Sequence, residues 1–118
     1  MTTDDKRAEH RIGSHNLLSY ECLDKDGKVV GQGMGRTLDV SEKGILLETH
    51  IPLDPLHIIS FTISLEDLLL DIKGKVSHSE EQEKGKYESG IRFVDMDEAK
   101  AKILRQFAVI FKDEMKDN

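Results

Sequence analysis

Ile58-Ile59-Ser60-Phe61-Thr62-Ile63-Ser64-Leu65 decides the fold. Apolar and hydroxyl side chains alternate along it, with Ile59, Phe61, Ile63 and Leu65 on one face and Ser60, Thr62 and Ser64 on the other. A strand turns successive side chains to opposite faces, so this stretch predicts a strand with one face in a core and one in water. Working outward, the same period recurs on both sides. Leu18, Tyr20 and Cys22 oppose Ser19 and Glu21 in a first strand, and Asp24-Lys25-Asp26-Gly27 then supplies a hairpin turn. A second segment runs from about Lys28 to Val40. Its Gly31, Gly33, Gly35, Thr37 and Asp39 share a face nearly bare of side chains, as suits a coiled or bulged barrel strand.

Ser41 to Gly44 form the next turn, where Gly44 is expected to adopt a positive φ angle. Ile45 to Thr49 make a third strand, followed by a loop holding Pro52 and Pro55 and then the strand quoted above. In the fifth, Leu70, Ile72, Val76 and His78 are expected inward, opposite Asp71, Lys73, Lys75 and Ser77. A polar connection, Ser79 to Lys86, leads to the sixth, with Tyr87, Ser89, Ile91 and Phe93 inward and Glu88, Gly90 and Arg92 outward. The period changes at Asp95. Asp95 with Glu98 fits a capping box, Asp97 competes as the N-cap, and Ala99, Ile103, Phe107, Ile110 and Phe111 recur at helical spacing. The expected fold is mainly all-β: a six-stranded antiparallel β-barrel with a C-terminal α-helix, closed because closure removes exposed edges. Residues 1–13 carry Lys6, Arg7, His10 and Arg11 but almost no apolar residue, which predicts a flexible N-terminal arm ahead of a 14–118 barrel domain.

Composition narrows the function. A chain of 118 residues suits one domain and can bury a core without disulfides or metals. It has no apolar run long enough to insert in a membrane and no secretory h-region, so a cytoplasmic protein is expected. Cys22 is the single cysteine and reads as inert core. The net charge of −6 opposes binding to nucleic acid, so an anionic ligand must be met by a local basic feature. No Ser–His–Asp spacing or nucleophile elbow supports an enzyme. His50 and His57 lack partners at zinc-ligand spacing, and Glu66, Asp67, Glu80, Glu81 and Glu83 are expected in solvated turns. Neither a metal nor another cofactor is expected.

Two short motifs carry the function. Arg7-Ala8-Glu9-His10-Arg11 is an R-x-x-x-R, and Asp39-Val40-Ser41-Glu42-Lys43-Gly44 is a D-x-S-x-x-G. Alone, the first is a solvated charged face and the second an Asx-type turn. Together, in this order and with the alternating pattern, they resemble the PilZ family over almost the whole chain. Gly90-Ile91-Arg92-Phe93 is similar to a weaker G-x-x-F element of that family.

The resemblance implies a receptor for the bacterial second messenger cyclic di-GMP, with Arg7, Arg11, Asp39, Ser41 and Gly44 at the site and Lys6, His10, Gly90 and Arg92 near it. An arginine fork suits phosphate oxygens and the guanine O6/N7 edge, and its flat guanidinium stacks on purines. A carboxylate complements guanine N1–H and its amino group, so Asp39 is implied to read the base, while Ser41 bonds the ligand or fixes the turn. Gly90 would leave room for the purine, and Lys6 would bear on whether one ligand or a stacked pair binds. The resemblance further implies an unidentified downstream protein partner. The C-terminal helix could pack on its own barrel or on a neighbour's, which leaves a homodimer open. Two rivals remain: a divergent PilZ module that binds protein instead of nucleotide, and an OB-like barrel binding single strands. The latter would need exposed aromatics, whereas this chain has no Trp and its Tyr and Phe residues nearly all fall on inward or helix-core positions.

Overall fold

The computed structural model describes residues 17–65 and 68–116. Six strands follow in chain order: β1 Leu17–Leu23, β2 Val29–Val40, β3 Gly44–Thr49, β4 Ile58–Leu65, β5 Leu68–Glu83 and β6 Lys86–Val94. One helix, α1 Glu98–Lys116, ends the described chain. All strand pairings are antiparallel, and the spatial order β1-β2-β3-β6-β5-β4 closes on itself because β1 also pairs with β4. The interior is filled by the alternating residues. Leu18, Tyr20 and Cys22 from β1, Ile45 and Leu47 from β3, Ile59, Phe61 and Ile63 from β4, and Ile91 and Phe93 from β6 are all buried. Each large aliphatic side chain removed from water in this way contributes about 1.5–3 kcal/mol. Leu53, from the proline loop, is buried with them.

Local chemistry sets the connections. In the first hairpin Asp24 Oδ1 accepts the backbone N–H groups of Asp26 at 2.8 Å and Lys28 at 2.9 Å. The helix begins at Asp97, whose carboxylate accepts the Lys100 N–H at 2.8 Å, while Asp95 takes a left-handed φ of 56°. Asp97 is therefore the N-cap, and Asp95 is the corner before it. The buried face of α1 is Leu104, Ala108 and Phe111, flanked by half-buried Ile103 and Phe107; Ala99 and Ile110 are exposed. The helix packs against β2, and Phe107 borders a cavity of about 190 Å³ with Leu18, Ile45 and Ile63 at one end of the barrel.

Three expectations are corrected, each for a backbone reason. β2 shifts register between Thr37 and Asp39, so Thr37 and Val40 are both buried and Asp39 swings to the outer wall. β5 shifts between Val76 and His78, which puts His78 outside instead of in the core. The Ser79–Lys86 connection is a ribbon: β5 runs on to Glu83 and turns back through Lys84 and Gly85. Glu80, Glu81 and Glu83 thus lie on a strand that, past Lys75, pairs with β6 alone among the described residues. Glu66 and Asp67 lie outside the described residues. No helix among the described residues is long and apolar enough to cross a membrane.

Candidate functional site

The bulge in β2 delivers Asp39 to the outer wall at the point where the chain turns into β3. Asp39 Oδ1 accepts the Val40 N–H at 2.9 Å, and among the described residues Oδ2 has no partner. A carboxylate half-held in this way keeps a free acceptor for a ligand donor. The turn that follows is tied twice: the Ser41 N–H donates to the Gly44 carbonyl at 2.9 Å, and the Lys43 N–H donates to Ser41 Oγ at 3.1 Å. Because Ser41 Oγ already accepts, its own proton is free to donate outward. The Phe93 N–H donates to the Lys43 carbonyl at 2.9 Å and locks the turn to β6.

Gly44 occupies this turn for a reason other than the expected one. Its φ is not positive; instead, a Cβ there would fall 2.5 Å from the Ile91 carbonyl oxygen. The close approach of two backbones requires glycine. Arg105, on α1, reaches back to the same turn. Its guanidinium donates to Glu42 Oε1 at 2.7 Å and to Glu98 Oε2 at 3.2 Å. The bond to Glu42, then that to Glu98, strengthens its hold on the charge.

Asp39, Ser41, Gly44, His78, Gly90 and Arg92 come together along one cleft of about 370 Å³ on the outer wall. Arg92 lies directly across from Gly44 on one side and from Lys75 on the other. Like charges placed opposite each other on neighbouring strands repel. Neither Lys75 nor Arg92 is ion-paired among the described residues, so this wall is a local cationic field in an acidic chain. Arg36, by contrast, is ion-paired with Glu48 at 3.4 Å. Lys6, Arg7, His10 and Arg11 lie outside the described residues.

Gly90 departs from expectation. It is buried, because the His78 ring and the Ser77 hydroxyl lie over it. Ser77 and His78 were invisible as site residues in the sequence, since unbroken alternation puts His78 inward. Only the consecutive polar pair ahead of Ser79 hints at a bulge. A larger cleft of about 820 Å³ crosses β1 between β2 and β4, bordered by Ser19, Glu21, Met34 and Thr62. Among the described residues its only charged lining side chain is Glu21, which suits no anion. Among the described residues no group of three or more His, Cys, Asp or Glu side chains could hold a metal ion.

A closed antiparallel barrel with a mixed carboxylate, hydroxyl and cationic cleft on its wall defines a small ligand-binding module. Residues 5–109 match the model of the PilZ domain, and the chain belongs to that family, a binding module and not a catalytic one. No curated protein matches the sequence. Among solved structures, the chain is similar to MrkH of K. pneumonia in its apo state, with a TM-score of 0.59 at 15% identity. That match covers 86% of this chain and 49% of MrkH. A second MrkH crystal structure gives a TM-score of 0.60 at 15% identity, covering 86% of this chain and 47% of that one. At this identity the likeness is one of fold, and the chain spans about half the length of MrkH.

Proposed function

We propose that this protein is a cytoplasmic receptor for cyclic di-GMP, the ligand of its family, and signals through a change in shape to a protein partner. The observation that carries this reading is the convergence of Asp39, Ser41, Gly44, Gly90 and Arg92 on one outer cleft beside unpaired cations. In the proposed complex, Arg7 and Arg11 cover the ligand from the N-terminal side. Their forked donors meet phosphodiester oxygens and the guanine O6/N7 edge, and their planar groups stack on the base. Asp39 Oδ2 accepts from guanine N1–H and the amino group, Ser41 donates its hydroxyl proton, and Arg92 adds charge from the wall. Lys6 and His10 are proposed to add further donors to the same anion.

Ordering eight residues of arm costs roughly 8–16 kcal/mol at about 1–2 kcal/mol each. Charge-assisted bonds worth about 1.5–3 kcal/mol apiece offset that cost only when ligand is present. An order–disorder switch that reshapes the surface around the cleft is the mechanism this arithmetic favours.

Calorimetric titration with cyclic di-GMP tests the reading. Wild-type protein should bind, and Arg7→Ala or Arg11→Ala should weaken binding at least about tenfold, the loss of one charge-assisted bond, with little change in melting temperature. No heat at high micromolar ligand would point instead to a divergent PilZ module that works by protein contact.

A further inference from the structure

The register shift in β5 between Val76 and His78 stands two consecutive side chains, Ser77 and His78, on the outer wall. Ser77 Oγ donates to the Gly90 carbonyl at 3.1 Å and lies 3.3 Å from His78 Nδ1. Those two contacts set the imidazole beside β6. A Cβ on Gly90 would fall 2.7 Å from His78 Nδ1 and closer still to Cε1. The ring therefore occupies the volume that any other residue at position 90 would fill with its own side chain. Glycine inside a strand weakens it and marks a place where another group comes close to the backbone. Here that group is an aromatic ring.

His78 is nonetheless exposed, and it lines the cleft shared by Asp39, Ser41 and Arg92. It is the only aromatic side chain lining that cleft among the described residues. A ring backed by main chain and open to solvent is a ready stacking surface, because a purine needs only a flat π face held at a fixed place. We infer that His78 is the platform on which one guanine of the ligand stacks, held in place by Ser77 and by the missing side chain at Gly90. This rests on the cleft being the cyclic di-GMP site, and it adds a fixed stacking surface on the barrel wall to the arginine planes proposed to cover the ligand. Asp39 then reads the edge of a base whose plane the imidazole sets.

The test combines calorimetry with NMR of histidine-labelled full chain, which contains five histidines. With cyclic di-GMP, the ring protons assigned to His78 by their absence in His78→Ala should move upfield, as expected beneath a stacked purine. His78→Ala should bind about tenfold more weakly, while His78→Phe, which keeps a planar ring, should stay within about threefold of wild type. Gly90→Ala keeps the histidine but pushes its ring aside, so it should weaken binding as His78→Ala does. Circular dichroism melts confirm that each variant folds. Wild-type binding with an unchanged His78→Ala, or with Phe no better than Ala, overturns the platform and leaves the cleft assignment standing. Failure of the wild-type protein to bind overturns both.

Discussion

A methyl group on Gly44 would have to share space with a carbonyl oxygen of the neighbouring strand, since Ile91 O lies 2.5 Å from where its Cβ would be. Backbone cannot swing aside as a side chain can. Gly44→Ala should therefore cost about 1–3 kcal/mol in chemical denaturation, the usual range for overpacking. In the proposed complex Asp39 bears on selectivity more than on stability. Adenine has no N1–H and amino pair to match a carboxylate, so Asp39→Ala should narrow the preference for cyclic di-GMP over cyclic di-AMP in competition titrations; an unchanged preference would place base reading elsewhere. The sequence made these residues stand out as a group, because their D-x-S-x-x-G spacing, which alone reads as an Asx-type turn, occurs beside an R-x-x-x-R. It did not make Gly44's role legible. The clash that demands glycine comes from a strand almost fifty residues away in the chain.

At the scale of elements, parity was readable wherever the pleat runs unbroken, as in β1 and β4, and misread wherever a bulge intervenes. Leu38 falls within the β2 register shift and His78 follows the one in β5. A bulge leaves no compositional mark of its own, so a period-two reading carries the wrong phase past it. The helix shows the same limit: Leu104 was missed and Ile110 overcounted, because a broad apolar stripe does not say which edge meets the barrel. Leu104→Ala should cost about 2–5 kcal/mol, whereas Ile110→Ala should stay within about 0.5 kcal/mol, both read from urea midpoints. The β5–β6 turn offers a cleaner case. Gly85 has φ +81° and no atom within 4 Å of a built Cβ, so Gly85→Ala isolates the backbone term. It should lower stability by about 1–2 kcal/mol, and Gly85→Asn by less.

Across the whole molecule, the barrel interior controls its own chemistry. Burial, and then the charge of Asp54, raises the Cys22 pKa; burial, and then Cys22, raises that of Tyr20. Both groups are neutral when protonated, so the stability they contribute is complete below their unfolded pKa values. It is lost as pH rises through the raised folded values. Melting temperature should accordingly begin to fall above pH about 8.5, where an unfolded thiol ionises, and fall further above about 10, where an unfolded phenol does. Thiol reagents should react with native protein far more slowly than with unfolded chain. If the proposed switch operates, amide exchange at residues 7–11 should slow markedly when cyclic di-GMP is added, and slow exchange already present without ligand would rule it out.

Past Lys75, β5 has a neighbour on one flank only among the described residues, so Val76–Glu83 offers its other flank's peptide groups to any passing strand. Glu80, Glu81 and Glu83 stand along that rail. Two molecules zipping together there would bring carboxylate against carboxylate, and their mutual repulsion opposes that contact. Replacing Glu80, Glu81 and Glu83 together by Gln takes the fence down, and light scattering should then register aggregation seeded at the tip of the ribbon while the barrel beneath it is still folded.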